Sequence, residues 1–139
     1  MQIININLPE NNLEGTLITE LGLLTGLDFL ALYHNVLEGT IPSEFAELAS
    51  LRYLALHYNE LEGQMPDWIG NFDALRVLGM GDNEFIGPIP DTWTNLNKLV
   101  TLGLDTNSLS GNINPLKGML QLERVYLDGN RFEGNLADP

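Results

Sequence analysis

An α/β solenoid of six units, each 23 or 24 residues long, is the fold this 139-residue sequence predicts, and three observations predict it. Asparagine and glycine fall on a grid. Asn11, Asn35, Asn59, Asn83, Asn107 and Asn130 are separated by 24, 24, 24, 24 and 23 residues, and Gly15, Gly39, Gly63, Gly87, Gly111 and Gly134 keep the same steps. Ahead of each Asn stands an alternating apolar pair: Ile6/Leu8, Leu30/Leu32, Leu54/Leu56, Leu78/Met80, Leu102/Leu104 and Val125/Leu127. Further upstream run two more apolar columns, Ile3, Leu27, Leu51, Leu75, Leu99 and Leu122, and Leu24, Leu48, Phe72, Leu96 and Met119. Self-similarity at such a period marks a stacked array, because one unit cannot bury enough apolar surface to offset its backbone entropy whereas stacked units share a continuous core.

Each element of the unit follows from its residues. Two inward side chains separated by one outward residue read as a short strand with one buried face, and the recurrence lays equivalent strands side by side in a parallel sheet. Where the chain leaves the strand and turns inward, backbone groups lose their ladder partners, and an amide side chain supplies both donors and acceptors. Asn11, Asn35, Asn59, Asn83, Asn107 and Asn130 are therefore expected to form a structural hydrogen-bonded spine. Leu13, Leu37, Leu61, Phe85, Leu109 and Phe132 then return to the core, and the glycines mark backbone conformations a side chain would hinder. After segments such as Gly39-Thr40-Ile41-Pro42, the polar column Thr19, Ser43, Asp67, Asp91 and Asn114 is expected to N-cap a short 3-10 or α turn. Leu21, Phe45, Ile69, Trp93 and Leu116 point back inward two residues later. The one-residue deletion falls between Ile113 and Asn114, and Pro115 lands at the start of the fifth turn, where proline is tolerated. The units divide approximately as 1–23, 24–47, 48–71, 72–95, 96–118 and 119–139, a single array expected to be a segment of a longer one.

Composition narrows the function classes. Nineteen acidic against six basic side chains give a net charge of −13, which disfavours nucleic acid and anionic membranes as partners. No apolar run approaches the ~20 residues of a membrane-spanning helix, so direct membrane insertion is not expected. The absence of cysteine excludes disulfides and thiolate chemistry. Two histidines occur without a nucleophile elbow, a zinc-binding helix motif or a phosphate-cradling loop, so the expectation is a non-catalytic protein without cofactor.

The run Leu48-x-x-Leu51-x-x-Leu54-x-Leu56-x-x-Asn59-x-Leu61-x-Gly63-x-Met65-Pro66 resembles the plant-type extracellular leucine-rich repeat found in receptor-like kinase ectodomains, polygalacturonase inhibitors and secreted algal proteins. The resemblance covers practically the whole chain. It implies a right-handed superhelix with a concave parallel sheet as recognition surface, a second short sheet near the Gly-x-Ile-Pro segments, short helical turns on the convex side and an extracellular or secreted location. The family's cysteine-bearing caps, its kinase and transmembrane portions and its Asn-x-Ser/Thr acceptors are not found in this sequence.

Strand alternation assigns the concave face. Its central column, Ala31, Ala55, Gly79 and Gly103, predicts a shallow trough, and Phe29, Tyr33, His34, Tyr53, His57 and Tyr58 cluster beside it on two neighbouring strands. Aromatic rings with polar tips suit a protein, peptide or polysaccharide ligand, and this patch is the candidate binding site. The competing expectation is that the rings cover one another. No metal site is expected; Asp82, Asp105 and Asp128 are the weak candidates, as carboxylates able to bind calcium. Ile6, Leu8, Leu13 and Leu17 at one end, and Val125, Leu127, Phe132 and Leu136 at the other, are expected to line faces that further repeats or another chain would cover. The alternative function is accordingly a structural unit that stacks end to end into a scaffold or fibre.

Overall fold

The computed structural model describes residues 2–134, and the expectation for Leu136 lies outside them. Six three-residue strands form one parallel sheet in chain order: β1 (Asn5–Asn7), β3 (Phe29–Ala31), β5 (Tyr53–Ala55), β7 (Val77–Gly79), β9 (Thr101–Gly103) and β11 (Arg124–Tyr126). Equivalent residues pair across it, Phe29 with Tyr53, Tyr53 with Val77 and Val77 with Thr101. The pairing then extends past each strand: Leu32 N donates to Ala55 O (2.9 Å), Leu56 N to Gly79 O (2.8 Å) and Met80 N to Gly103 O (2.8 Å).

A second parallel sheet joins β2 (Glu14–Thr16), β4 (Val36–Gly39), β6 (Glu60–Gln64), β8 (Glu84–Pro88) and β10 (Ser108–Ser110). It is staggered. Gly15 pairs with Leu37, and Gly63 with Phe85, so each strand is offset by two residues from the register of the repeat. The glycines here take left-handed backbone, Gly87 with φ 81°, a conformation in which a Cβ is strained.

Five 3-10 helices line the opposite side: η1 (Thr19–Leu23), η2 (Ser43–Glu47), η3 (Asp67–Asn71), η4 (Asp91–Asn95) and η5 (Asn114–Gly118). The N-cap expectation is corrected. The cap positions belong to Ile18, Pro42, Pro66, Pro90 and Ile113, none of which makes a side-chain capping bond. The extended Pro42 supplies the first acceptor, its carbonyl receiving Phe45 N at 3.1 Å. This places Ser43 inside the turn, where its hydroxyl contacts the Glu44 carboxylate instead (3.4 Å). Pro115 is accordingly the second residue of η5.

The core runs unbroken between the two sheets and the helical turns. Phe45, Phe72, Phe85 and Trp93 are its largest fully buried side chains, surrounded by leucines from every interior unit. One glycine column sits outside the sequence grid. A Cβ on Gly70 would fall onto the carbonyl oxygen of Thr92, and one on Gly22 onto that of Glu44, so these residues let η3 approach η4 and η1 approach η2 backbone to backbone. Ala46 fills the equivalent position in η2, and η2 and η3 barely touch. We expect Gly70→Ala to destabilise the protein by about 1 to 3 kcal/mol in urea unfolding, because a backbone carbonyl cannot swing aside as a side-chain tip can. A variant that unfolds at the wild-type midpoint would contradict the close approach.

The asparagine column makes the bonds its position requires. Oδ1 of Asn35, Asn59, Asn83, Asn107 and Asn130 accepts from the backbone N–H of Leu13, Leu37, Leu61, Phe85 and Leu109, respectively, each in the preceding unit, at 2.9–3.0 Å. The same amides donate through Nδ2 to the carbonyls of Leu8, Leu32, Leu56, Met80 and Leu104. Each amide thus closes its own turn and ties it to its neighbour. Asn11, at the N-terminal face, is exposed and donates to Pro9 O (2.6 Å).

Candidate functional site

Register decides the site. Because equivalent residues of successive units stand side by side, like side chains at like positions meet face to face. Phe29 stacks on Tyr53 with ring centroids 4.2 Å apart and planes 9° from parallel. Tyr33 stacks on His57 at 4.5 Å and 7°, and His34 on Tyr58 at 4.1 Å and 11°. All six residues of the expected patch are therefore brought together, as three stacked pairs bridging units two and three. Such pairs add about 0.5 to 1.5 kcal/mol beyond area burial, so the rings do cover one another. They also leave surface: His34 and Tyr58 are exposed, and Phe29, Tyr33, Tyr53 and His57 are half-buried. His34 and Tyr58 occupy left-handed backbone at the strand exits, with φ of 54° and 55°, and this turn aims both rings to the same side.

Beside the rings lies a trough of about 330 Å³. Tyr53, His57 and Tyr58 form one wall, and Asp105 and Tyr126 stand on the other; Gly79, Gly81 and Gly103 leave the floor bare. The two walls lean inward over that floor. A Cβ on Gly79 would stand 3.0 Å from His57 Nδ1, and one on Gly81 would stand 2.6 Å from Asp105 Oδ1. The sequence indicates the bare floor, but it carries no signal for the inward lean, which is a matter of rotamers.

The electrostatics follow from that geometry. His57 Nδ1 is buried without a hydrogen-bond partner. Burial, and then the neighbouring His34, hold its imidazole below the ordinary value of 6.5, so it is neutral at pH 7. Burial pushes the Asp105 carboxyl above the usual carboxylate range, and the charges of Asp82 and Asp128 push the same way. The Asp82 carboxylate raises the Tyr58 hydroxyl. At the entry side of the strands, Arg52 Nη2 donates to Asp28 Oδ2 at 2.8 Å, and the guanidinium holds that carboxyl below its usual range. The pair is exposed and contributes little to stability.

Two acidic features differ from a metal centre. Among the described residues no three histidine, aspartate or glutamate side chains are grouped so as to hold an ion. Asp82, Asp105 and Asp128, the weak candidates of the sequence, stand on the exits of three successive strands, after β7, β9 and β11. On the second sheet, Glu38, Glu60, Glu62 and Glu84 line a polar groove of about 310 Å³ and are all exposed to solvent.

A concave parallel sheet, an asparagine column and convex 3-10 turns define a leucine-rich repeat solenoid, and the family model described as Leucine Rich Repeat matches residues 50–72. Solved structures extend the likeness over nearly the whole chain. The plant peptide hormone receptor RGFR1, in complex with RGF2, superposes with a TM-score of 0.92 at 36% identity, covering 94% of this chain and 21% of that one. The BIR3–SERK2 complex from Arabidopsis thaliana matches with a TM-score of 0.85 at 33% identity, over 97% of this chain and 72% of that one. The Arabidopsis receptor kinase HAESA, in complex with the peptide hormone IDA and the co-receptor SERK1, matches at 29% identity and a TM-score of 0.90, over 95% and 22%. The chain belongs to the plant-type extracellular leucine-rich repeat family. It spans 16 to 23% of the length of the first receptor chains it matches. No curated protein matches it.

Proposed function

We propose that this chain is a non-catalytic recognition module that docks a peptide or protein segment along its concave sheet, outside the cell. The observation that carries the reading is the set of three stacked ring pairs standing beside a side-chain-free trough on one face. Stacking fixes the rings before a ligand arrives, so little rotamer entropy remains to be lost on binding, and rigid amphipathic rings supply contact area. The similar RGFR1 and HAESA structures hold peptide hormones, and this supports a peptide over a polysaccharide. Catalysis is disfavoured by the geometry of His57: its Nδ1 has no hydrogen-bonded carboxylate to orient the ring for proton transfer. Phe29, Tyr33, His34, Tyr53, His57 and Tyr58 are the proposed contact residues. Panning a displayed random peptide library against the wild-type chain and a Tyr33→Ala/Tyr53→Ala variant tests this. Capture should fall at least about tenfold in the variant, with an unchanged circular dichroism spectrum. Equal capture by both proteins would overturn the concave assignment.

A second reading concerns the ends. Leu8 is 44% exposed beside edge strand β1, and Val125 is 40% exposed on edge strand β11. Both edges offer unpaired ladder groups next to apolar side chains. We propose that further units of the same repeat cover these faces, making residues 1–139 part of a longer array. By this account the isolated chain self-associates with rising concentration, and Leu8→Asp/Val125→Asp abolishes the association in sedimentation velocity. A monomer at every concentration would refute it.

A further inference from the structure

We propose that the glycine-floored trough receives the cationic head of a lysine or arginine side chain of the bound peptide, held between the His57 ring and the Asp105 carboxylate. This rests on the concave docking reading and makes its chemistry specific.

The trough collects acceptors and offers few donors. His57, after β5, and Asp105, after β9, overhang the bare floor from opposite sides of the β7 segment that lies between them. His57 Nδ1 lies buried over Gly79 without a partner, a condition that costs about 1 to 3 kcal/mol for an isolated polar atom and that a small turn of the ring toward a donor in the trough relieves. On a neutral imidazole that nitrogen can accept, and a carboxylate accepts only. A single group that donates in two directions at once satisfies both walls, and guanidinium and ammonium are the side-chain groups that do so while carrying the complementary charge.

The surroundings agree. Asp82 lines the same trough, and Asp128 is close enough to act on the Asp105 carboxyl, so the far wall is a site where negative charge already crowds. Burial and that crowding hold the Asp105 carboxyl up, and an incoming cation offsets the crowding and stabilises the buried carboxylate. On the near wall Tyr58 borders the space, its ring positioned by the stack on His34, and an aromatic ring beside a cation can add a cation–π contact. A net charge of −13 steers basic segments toward the protein from a distance. An anionic group would meet three carboxylates, and an apolar one would desolvate Asp105 while leaving His57 unpaired. A metal ion lacks a cage, since no three ligating side chains among the described residues group around one point.

The test titrates the intact, isotope-labelled chain with N-acetyl-arginine methylamide, its neutral citrulline analogue, and calcium chloride, following the His57 ring and Asp105 carboxyl resonances. Saturable shifts with the arginine probe, about tenfold weaker with citrulline and about tenfold weaker in Asp105→Asn, are expected, with the convex-face variant Asp67→Asn behaving as wild type. Equal responses to arginine and citrulline, an unaltered response in Asp105→Asn, or tighter saturation by calcium than by arginine would each overturn the proposal. Peptides captured from the random library separate the two levels of the account. Capture lost in Tyr33→Ala/Tyr53→Ala but retained in Asp105→Asn removes the cation site and leaves concave docking standing, whereas capture indifferent to both variants removes both.

Discussion

Replacing Asn83 by alanine is expected to cost about 4 kcal/mol of folding stability, although the change touches no core hydrocarbon. Asn83 is the buried polar side chain of the described structure, 9% exposed. Its Oδ1 accepts from Leu61 N at 2.9 Å, and its Nδ2 donates to the carbonyls of Leu56 (3.0 Å), Gly81 (3.1 Å) and Met80 (3.3 Å). Alanine leaves the Leu61 N–H and at least one carbonyl without a partner in a place water does not reach, at about 1 to 3 kcal/mol for each orphaned group. Asn83→Asp separates hydrogen bonding from volume. The carboxylate keeps the acceptor for Leu61 but presents negative charge to three carbonyl oxygens, so it should be at least as damaging at pH 7 as alanine. Asn11→Ala, at the exposed end of the same column, should stay within about 0.5 kcal/mol of wild type. Urea unfolding of the three variants decides. Equal midpoints for Asn83→Ala and Asn11→Ala would show that the column carries no hydrogen-bonding role.

Trp93→Ala should be comparably severe, at about 4 kcal/mol, by a different route. Trp93 is fully buried and the largest such side chain, and truncating a buried aromatic to alanine typically costs about 3 to 5 kcal/mol through lost transfer energy and the cavity left behind. Its indole Nε1 also donates to Pro66 O at 2.8 Å, while Thr92 Oγ1 donates to Asp67 O at 2.6 Å. The first runs from η4 to the cap residue of η3 and the second to the first residue of η3. The loss therefore falls on the joint between units three and four, where Gly70 already brings the two backbones together. Trp93→Phe retains most of the volume but not the donor, and should recover more than half of the stability. Because the chain holds two tryptophans, Trp68 remains as the fluorescent reporter in both variants. Full stability in Trp93→Ala would mean that this joint is not held by the indole.

The grid of asparagines, leucines and glycines is legible in the sequence because each column answers one backbone requirement, repeated at one spacing. The inward and outward positions of the strands are legible for the same reason, and they place Phe29, Tyr33, Tyr53 and His57 on a common face. Three features are not. The polar column at Ser43 and Asp67 looks like a set of N-caps, but whether a residue caps or begins a turn depends on which carbonyl takes the first bond, and here the extended prolines do. The close-approach glycines at 22 and 70 alternate with Ala46 and Thr94, so their column lacks a repeating residue to reveal it. The inward lean of His57 and Asp105 over Gly79 and Gly81 depends on side-chain rotamers chosen between neighbouring units, which no spacing along the chain encodes.

Recognition by the concave sheet is most directly tested by mapping backbone amide shifts when a library-captured peptide is added to the labelled chain. Perturbations are expected to concentrate at the concave positions of β3, β5, β7 and β9 and at the exits around His34, Tyr58, Asp82 and Asp105. A footprint on the convex turns around Trp68, or along the glutamates of the second sheet, with the concave amides unmoved, would contradict it.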